Sequence, residues 1–136
     1  PPVVEKVQWK DPKNKTAGVI GSIDSHKQVH LSIKRAIEDG FKRELLFGII
    51  SDSHYFSEWL KPWVDSENVV VAGHVDSKES MYSQISTVYH SSKRETYGLV
   101  EAECTLAGIP FNGPSNNQEI LEKDEILERW IKILND

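Results

Sequence analysis

The stretch "TAGVIGSIDSHKQVHLSIKRAIEDGFKRELLFGII", residues 16–50, carries the pattern that decides the fold. Its two ends, "TAGVIGSI" (16–23) and "ELLFGII" (44–50), are short apolar runs with the length of buried strands. Between them apolar residues recur at helical spacing, with Ser25 as a candidate N-cap and Gly40 just past the end. The stretch therefore predicts a strand, a helix and a second strand.

The rest of the chain continues this alternation. Helices are predicted in "SDSHYFSEWLKPW" (51–63), closing near Pro62, in "SKESMYSQI" (77–85), capped by Asp76 or Ser77, and in "TYGLVEAECTLAG" (96–108). Strands are predicted in "ENVVVAG" (67–73), "STVYHS" (86–91) and "IPFNG" (109–113), with a final amphipathic helix over "EKDEILERWIKIL" (122–134). This order predicts an α/β fold, a three-layer αβα Rossmann-like domain with a parallel sheet, and a ligand site beyond the carboxyl ends of the strands.

Length and composition limit the possibilities further. The 136 residues, 38% of them hydrophobic, suit one domain over residues 16–136, preceded by a linker-like segment over residues 1–15. A net charge of -5 argues against a nucleic-acid partner or an anionic membrane surface, and no apolar stretch is long enough to cross a bilayer. One cysteine allows no intrachain disulfide and makes a cytoplasmic location the default.

The beginning of the chain suggests a piece of a longer protein. Met81 is the only methionine, and the opening "PPVVEKVQWKDPKNK" (1–15) is rich in proline and lysine. The alternative is a small protein that lost its initiator methionine before Pro1.

Several common site motifs are absent. The sequence has no G-x-x-x-x-G-K-[ST] phosphate loop, no G-x-G-x-x-G and no G-x-S-x-G, which removes the main support for an ATPase, an NAD dehydrogenase or a serine hydrolase. His26 and His30 have a spacing that can chelate a metal on a helix, but no third ligand is placed near them by sequence. A solvated helix face is the preferred interpretation, and no metal site is predicted.

The run "STVYHSSKRETYGLVEAECTLAGIP" (86–110) resembles a known family. It is similar to the donor-binding half of retaining glycosyltransferases of the GT-B fold, of the group 1 type, which carry E-G-F-G-x-x-x-x-E-A-x-A-x-G-x-P. Glu95 and Glu103 stand at the E-x(7)-E spacing, Gly98 matches the glycine, and Ala107 and Gly108 begin an A-G-x-P ending. Two earlier segments agree: "NVVVAGHVDSKESMYSQI" (68–85) resembles the stretch that precedes this motif, and "GSIDSHKQ" (21–28) resembles G-R-x-x-x-x-K-G.

The resemblance implies roles for individual residues. Glu103 would accept hydrogen bonds from the ribose hydroxyls of the donor, and Glu95, as the catalytic carboxylate, would approach the transferred sugar. The backbone N–H groups of Gly98 and Leu99 would bind the diphosphate at a helix N-terminus. Lys27 would stabilise the charge of the leaving diphosphate. Two further candidates for donor binding are Ser22, which replaces the family's arginine, and His74, in the loop after the third strand.

The resemblance also implies a function. The chain would be the C-terminal donor-binding domain of a retaining glycosyltransferase, which moves a sugar from a nucleotide diphosphate sugar to an acceptor hydroxyl without a metal or other cofactor. The acceptor, a glycan, lipid or protein, would be held by an N-terminal domain that 136 residues do not include. We therefore expect the isolated chain to bind the donor weakly and to transfer little.

Two alternatives compete with this interpretation. The chain can be a non-catalytic binding or interaction module that keeps the fold without the activity, and Ser22 in place of arginine is the sequence feature that favours it. Without the resemblance, Glu95 is a carboxylate favoured by a helix dipole, and Glu103 and Lys27 are solvated helix residues. His74 is then an ordinary loop donor.

Overall fold

The computed structural model describes Val4, residues 6–92 and residues 98–114. Five strands lie in these ranges: β1 (Ala17–Ile20), β2 (Glu44–Phe47), β3 (Val69–Gly73), β4 (Thr87–Tyr89) and β5 (Phe111–Asn112). The helices are α1 (Val29–Glu38), α2 (Ser53–Tyr55), α3 (Lys61–Asp65), α4 (Lys78–Ser83) and α5 (Gly98–Ala107), with a 3-10 turn at Ser25–Lys27 and a π-helical segment at Phe56–Leu60. The helix predicted over residues 122–134 lies outside the described residues.

The described strands form one parallel sheet in the order β3-β2-β1-β4-β5. The chain starts at β1, moves outward through β2 to β3, and returns to the other side of β1 for β4 and β5. The strand order therefore reverses between β1 and β4, and ligands of open α/β sheets bind near such a point. The predicted α/β fold with a parallel sheet is confirmed.

Helices cover both faces of this sheet. On one face, Leu46 and Trp63 belong to a core cluster formed with α1 and the helical residues 53–65. On the other, the neighbouring strand residues Leu45 and Phe47 pack with Tyr82 of α4 in a second cluster that also includes α5. Because successive residues of a strand point to opposite faces, a short fully buried strand such as β2 serves both cores. The predicted three-layer arrangement is confirmed.

The first helical region begins differently from the prediction. Asp24, not Ser25, is the N-cap: its backbone is extended, and its Oδ1 accepts a hydrogen bond from the Lys27 N–H at 3.1 Å. Ser25 already lies inside the 3-10 turn, and Gln28, with φ at 46°, separates this turn from α1. The prediction was wrong because Asp and Ser are both good caps and only the backbone conformation distinguishes two neighbours.

The second helical region continues through Pro62 to Asp65, whereas the sequence predicted an end near Pro62. The residues before the proline form the π-helical segment, in which the Lys61 N–H donates to the carbonyl of Phe56, five residues earlier. Pro62 lies in the first turn of α3, directly after this segment. Proline is tolerated there because the N–H groups of a first helical turn have no partner within the helix. Trp63, just beyond it, is completely buried in the core.

The segment before β1 packs against the domain where it is described. Val7 is buried in the second cluster, Trp9 packs against that cluster, and the Trp9 indole Nε1 donates to the carbonyl of Ile85 at 3.0 Å. Within the described ranges, none of the helices has the length and apolar character that a bilayer span requires.

Candidate functional site

An open cleft of about 450 Å³ lies at the carboxyl ends of β1, β2 and β3, against the first turns of α5. Three glycines that follow or end these strands form part of its wall. The lining residues are Ile20, Gly21, Ser22, Phe47, Gly48, Ile49, Gly73, His74, Val75, Asp76, Lys78, Met81, Leu99, Val100 and Glu103. The cleft is thus largely apolar, with a small number of polar side chains at one side, which is the usual composition of a small-molecule site.

Glu103 is the most deeply placed charged residue of this cleft, with only 2% of the residue exposed. Its Oε1 accepts a hydrogen bond from the Tyr82 hydroxyl at 2.7 Å, and its Oε2 accepts one from the Lys78 ammonium, which also forms an ion pair with it. A buried carboxylate of this kind needs a counter-charge and donors, and α4 supplies both. The interpretation of Glu103 as a solvated helix residue is therefore wrong.

The charge of Glu103 affects two neighbouring groups. Burial first, and then the hydrogen bond to Glu103, raises the pKa of the Tyr82 phenol, so this hydroxyl remains a donor. Burial, followed by the charge of Glu103, raises the pKa of Cys104 to about 12. Cys104 is consequently a buried neutral thiol in the core and not an activated nucleophile.

Four other residues named from the sequence lie in or beside the cleft. Ser22 and Leu99 line it, Gly98 precedes Leu99 as the first residue of α5, and the Lys27 Cε lies 3.9 Å from the position that a Cβ on Gly21 would take. The N-terminus of the ten-residue α5 therefore opens toward the same cleft as Glu103. Unpaired N–H groups at a helix start favour an anion there.

His74 lines the cleft but points to solvent at its rim. Its side chain is 71% exposed, and its Nε2 lies 2.9 Å from Oδ1 of Asp76, which is itself exposed. The pair places an imidazole and a carboxylate at the outer edge of the cleft. His74 is thus a loop residue whose ring contacts a neighbouring side chain.

Glu95, the predicted catalytic carboxylate, lies outside the described residues, as does Tyr97 of the same motif. The relation between Glu95 and Glu103 therefore stays a sequence prediction. Of the residues named for donor binding, Ser22, Lys27, His74, Gly98, Leu99 and Glu103 are described, and the fold gathers them around one edge of the sheet.

The two residues that the sequence interpretation missed are Lys78 and Tyr82. They are four positions apart on α4, so they share one face of that helix. One feature of the sequence could have indicated them. Glu103 lies among apolar residues of its helix, and a buried carboxylate requires a hydrogen-bond donor and a cation nearby. The sequence alone did not show that α4 and α5 are adjacent on the sheet.

The spacing of His26 and His30 does not produce a metal site in the described part of the chain. The His30 Nδ1 lies 2.7 Å from the Tyr55 hydroxyl, and its ring centroid lies 4.4 Å from that of Trp59. Among residues 6–92 and 98–114, no group of three or more His, Cys, Asp or Glu side chains could hold a metal ion. His30 is thus part of an aromatic cluster between α1 and the second helical region.

The strand order, the two helical layers and the cleft at the carboxyl strand ends define the class of protein as a Rossmann-like α/β domain. Sugar-transferring enzymes contain domains with the same fold. The chain matches the pneumococcal O-GlcNAc transferase GtfA, crystallised with UDP and GlcNAc, with a TM-score of 0.63 and 15% identity, over 96% of this chain and 30% of that one.

Two further solved structures give the same result. TarM of S. aureus matches with a TM-score of 0.64 and 17% identity, over 98% of this chain and 30% of its own. The lipopolysaccharide outer core galactosyltransferase WaaB matches with a TM-score of 0.59 and 13% identity, over 99% of this chain and 45% of its own. No protein-family model and no curated protein matches the sequence.

These structures are glycosyltransferases of the GT-B fold, so the predicted likeness to part of a GT-B fold is confirmed. At 13–17% identity the likeness concerns the fold alone. The chain spans between 30% and 45% of the length of these enzymes, and activity, substrates and partners are therefore taken up as proposals.

Proposed function

We propose that this chain is the nucleotide-sugar-binding domain of a retaining glycosyltransferase. The observation that carries the proposal is the Glu103 carboxylate, buried to 2% exposure yet lining an open cleft at the carboxyl ends of the strands. Burying a carboxylate costs free energy even when it is paired, and a ligand with a vicinal diol needs such an acceptor. The fold shared with GtfA, TarM and WaaB supports the same class of function.

In this function different residues bind the ribose, the diphosphate and the sugar of the donor. Glu103 accepts hydrogen bonds from the ribose hydroxyls, and the N–H groups of Gly98 and Leu99 at the start of α5 bind the diphosphate. Lys27, beside Gly21, supplies positive charge for the leaving diphosphate, and Glu95 approaches the sugar. Ser22 contributes a hydroxyl where the family has an arginine, and His74 contacts the donor from the rim.

The transfer itself needs more than this domain. The acceptor, a glycan, lipid or protein hydroxyl, is held by an N-terminal domain, and the reaction uses no metal or other cofactor and draws on the cytoplasmic pool of nucleotide sugars. The chain covers 30% to 45% of GtfA, TarM and WaaB, so most of each of these enzymes has no counterpart in it. We expect the isolated chain to bind donors weakly and to turn over little or none.

A titration of the chain with UDP, GDP and ADP tests the proposal by calorimetry. UDP is the first probe because GtfA was crystallised with it. Glu103→Gln keeps the shape of the side chain and removes its charge, while Glu101→Gln changes an exposed glutamate two residues earlier on the same helix. We expect saturable binding of one nucleotide, weakened about tenfold or more by Glu103→Gln and unchanged by Glu101→Gln.

The competing function is a non-catalytic module that has kept the fold. Ser22 favours it, because a serine in the cleft cannot replace the charge of the family's arginine at the diphosphate. A folded chain that binds none of the three nucleotides would overturn the donor-site proposal in favour of this module. Equal binding by the wild type and Glu103→Gln would show that nucleotides bind elsewhere.

A further inference from the structure

Helix α4 makes two contacts to Glu103 that the proposed donor site does not explain. The Tyr82 hydroxyl donates to Oε1 at 2.7 Å from a fully buried ring, and the Lys78 ammonium donates to Oε2 from a side chain that is 39% exposed. Both carboxylate oxygens of Glu103 are therefore engaged from one side. Each contact comes from the same face of α4, one helical turn apart.

These two contacts use only part of the hydrogen-bonding capacity of the carboxylate. An ionised carboxylate has about four lone-pair sites, and the two donors from α4 use one on each oxygen. The remaining sites are the ones that a pair of ribose hydroxyls would need. Because the Tyr82 ring is buried, its hydroxyl also fixes the plane of the carboxylate.

The other titratable groups near Glu103 contribute little counter-charge. Cys104 on α5 is a neutral thiol, and Glu101, one turn from Cys104, is exposed and anionic. Across the cleft, His74 and Asp76 are paired with each other at the rim. Among the described residues, Lys78 is therefore the cation in direct contact with Glu103.

We propose that Lys78 and Tyr82 are positioning residues that hold the Glu103 carboxylate in one orientation, so that its remaining lone pairs receive the two ribose hydroxyls of the donor. This inference rests on the proposed function, because it assigns a ribose to the cleft. It adds that recognition of the ribose depends on two side chains of α4 that act through Glu103. A rotated Glu103 carboxylate would direct its acceptor sites away from the ribose hydroxyls.

A purely structural role for the same contacts makes a different prediction. If Lys78 and Tyr82 only joined α4 to α5, their loss would lower the stability of the domain and would weaken the binding of every nucleotide equally. If they position Glu103, their loss removes the preference for a ligand that carries ribose hydroxyls. The informative quantity is thus the affinity ratio between UDP and 2′,3′-dideoxy-UDP, which lacks both hydroxyls.

The experiment measures this ratio for the 136-residue chain and four variants by calorimetry. Tyr82→Phe removes one hydroxyl, Lys78→Met removes the charge, and Lys78→Arg keeps the charge. Lys61→Met removes the cation of an exposed ion pair with Asp65 on α3 and serves as the matched control.

We expect the wild type to prefer UDP by about tenfold or more, since charge-assisted hydrogen bonds are strong. Tyr82→Phe and Lys78→Met should each lower the preference several-fold, Lys78→Arg should restore most of it, and Lys61→Met should leave it unchanged. Equal ratios in the wild type, Tyr82→Phe and Lys78→Met overturn the inference and leave the proposed function intact. A wild type that binds no nucleotide overturns the proposed function and, with it, the assignment of the ribose.

Discussion

Gly48 lies so close to Gly21 that a Cβ atom on Gly48 would stand 2.0 Å from the Gly21 carbonyl oxygen. The two glycines follow β2 and β1, and both have positive φ, 151° at Gly48 and 131° at Gly21. Both glycines line the cleft, and the Gly21 N–H donates to the carbonyl of Phe47, the residue before Gly48, at 2.8 Å. The width of the cleft floor therefore depends on the absence of a side chain at Gly48.

Replacing Gly48 with alanine should destabilise the domain by about 3 kcal/mol or more, since the new methyl meets rigid backbone in a strained conformation. Gly40→Ala is the matched control, because Gly40 also has a positive φ of 98° but nothing lies within 4 Å of its Cβ position. That control should lose about 1 to 2 kcal/mol, the cost of the backbone conformation alone. Urea unfolding followed by tryptophan fluorescence measures both, and equal losses would contradict the steric argument.

The strands and helices of this fold were predictable because short apolar runs of strand length alternate along the sequence with stretches in which apolar residues recur at helical spacing. The apolar runs that became β1, β2 and β3 are bounded by glycine or polar residues, and Gly108, with φ at 82°, ends α5 as predicted. The N-cap at Asp24 and the continuation of the helix through Pro62 were not predictable from the sequence. Both depend on the local backbone conformation, which the residue types at these positions do not determine.

The site was predictable only as far as the topology dictates it. Parallel strands bring their carboxyl ends to one edge, so Ser22, His74 and Leu99 were expected together and line one cleft. The contacts of Glu103 with Lys78 and Tyr82 were not expected, because they depend on the packing of α4 beside α5. Neither periodicity nor motif spacing contains that information.

Asp24→Ala should destabilise the domain by about 1 kcal/mol, because the Lys27 N–H loses its side-chain acceptor. Ser25→Ala is the neighbouring control and should change the stability by less than about 0.5 kcal/mol, since Ser25 is exposed within the turn. The free energy of unfolding in urea checks both. A larger loss in Ser25→Ala than in Asp24→Ala would restore the cap that the sequence first suggested.

The first residue of β2, Glu44, is a buried carboxyl of a different kind from Glu103. It is fully buried, and within the described structure neither of its oxygens has a hydrogen-bond partner. Burial raises the pKa of Glu44 to about 8, so the folded chain holds this proton at neutral pH. The unfolded chain releases it near the ordinary value of 4.5 for a glutamate.

Between these two pH values the folded state binds more protons than the unfolded state. The contribution of Glu44 to stability is therefore complete below about pH 4.5 and is lost as pH rises through about 8, at about 1.4 kcal/mol per pH unit. Glu44→Gln has no titrating proton at this position. The difference in the free energy of unfolding, variant minus wild type, should therefore increase steadily from pH 5 to pH 8.

The comparison of the two chains separates the effect of Glu44 from groups whose titration changes the stability in the opposite direction. Burial, together with the charges of Lys27 and Arg35, lowers the pKa of His90 to about 4, which makes stability rise with pH over part of the same range. This contribution is common to both chains and cancels in their difference. Glu67→Gln, which makes the same substitution at an exposed glutamate, is the matched control. Urea unfolding at each pH gives the differences, and a flat difference for Glu44→Gln would mean that the Glu44 carboxyl is already ionised in the folded chain.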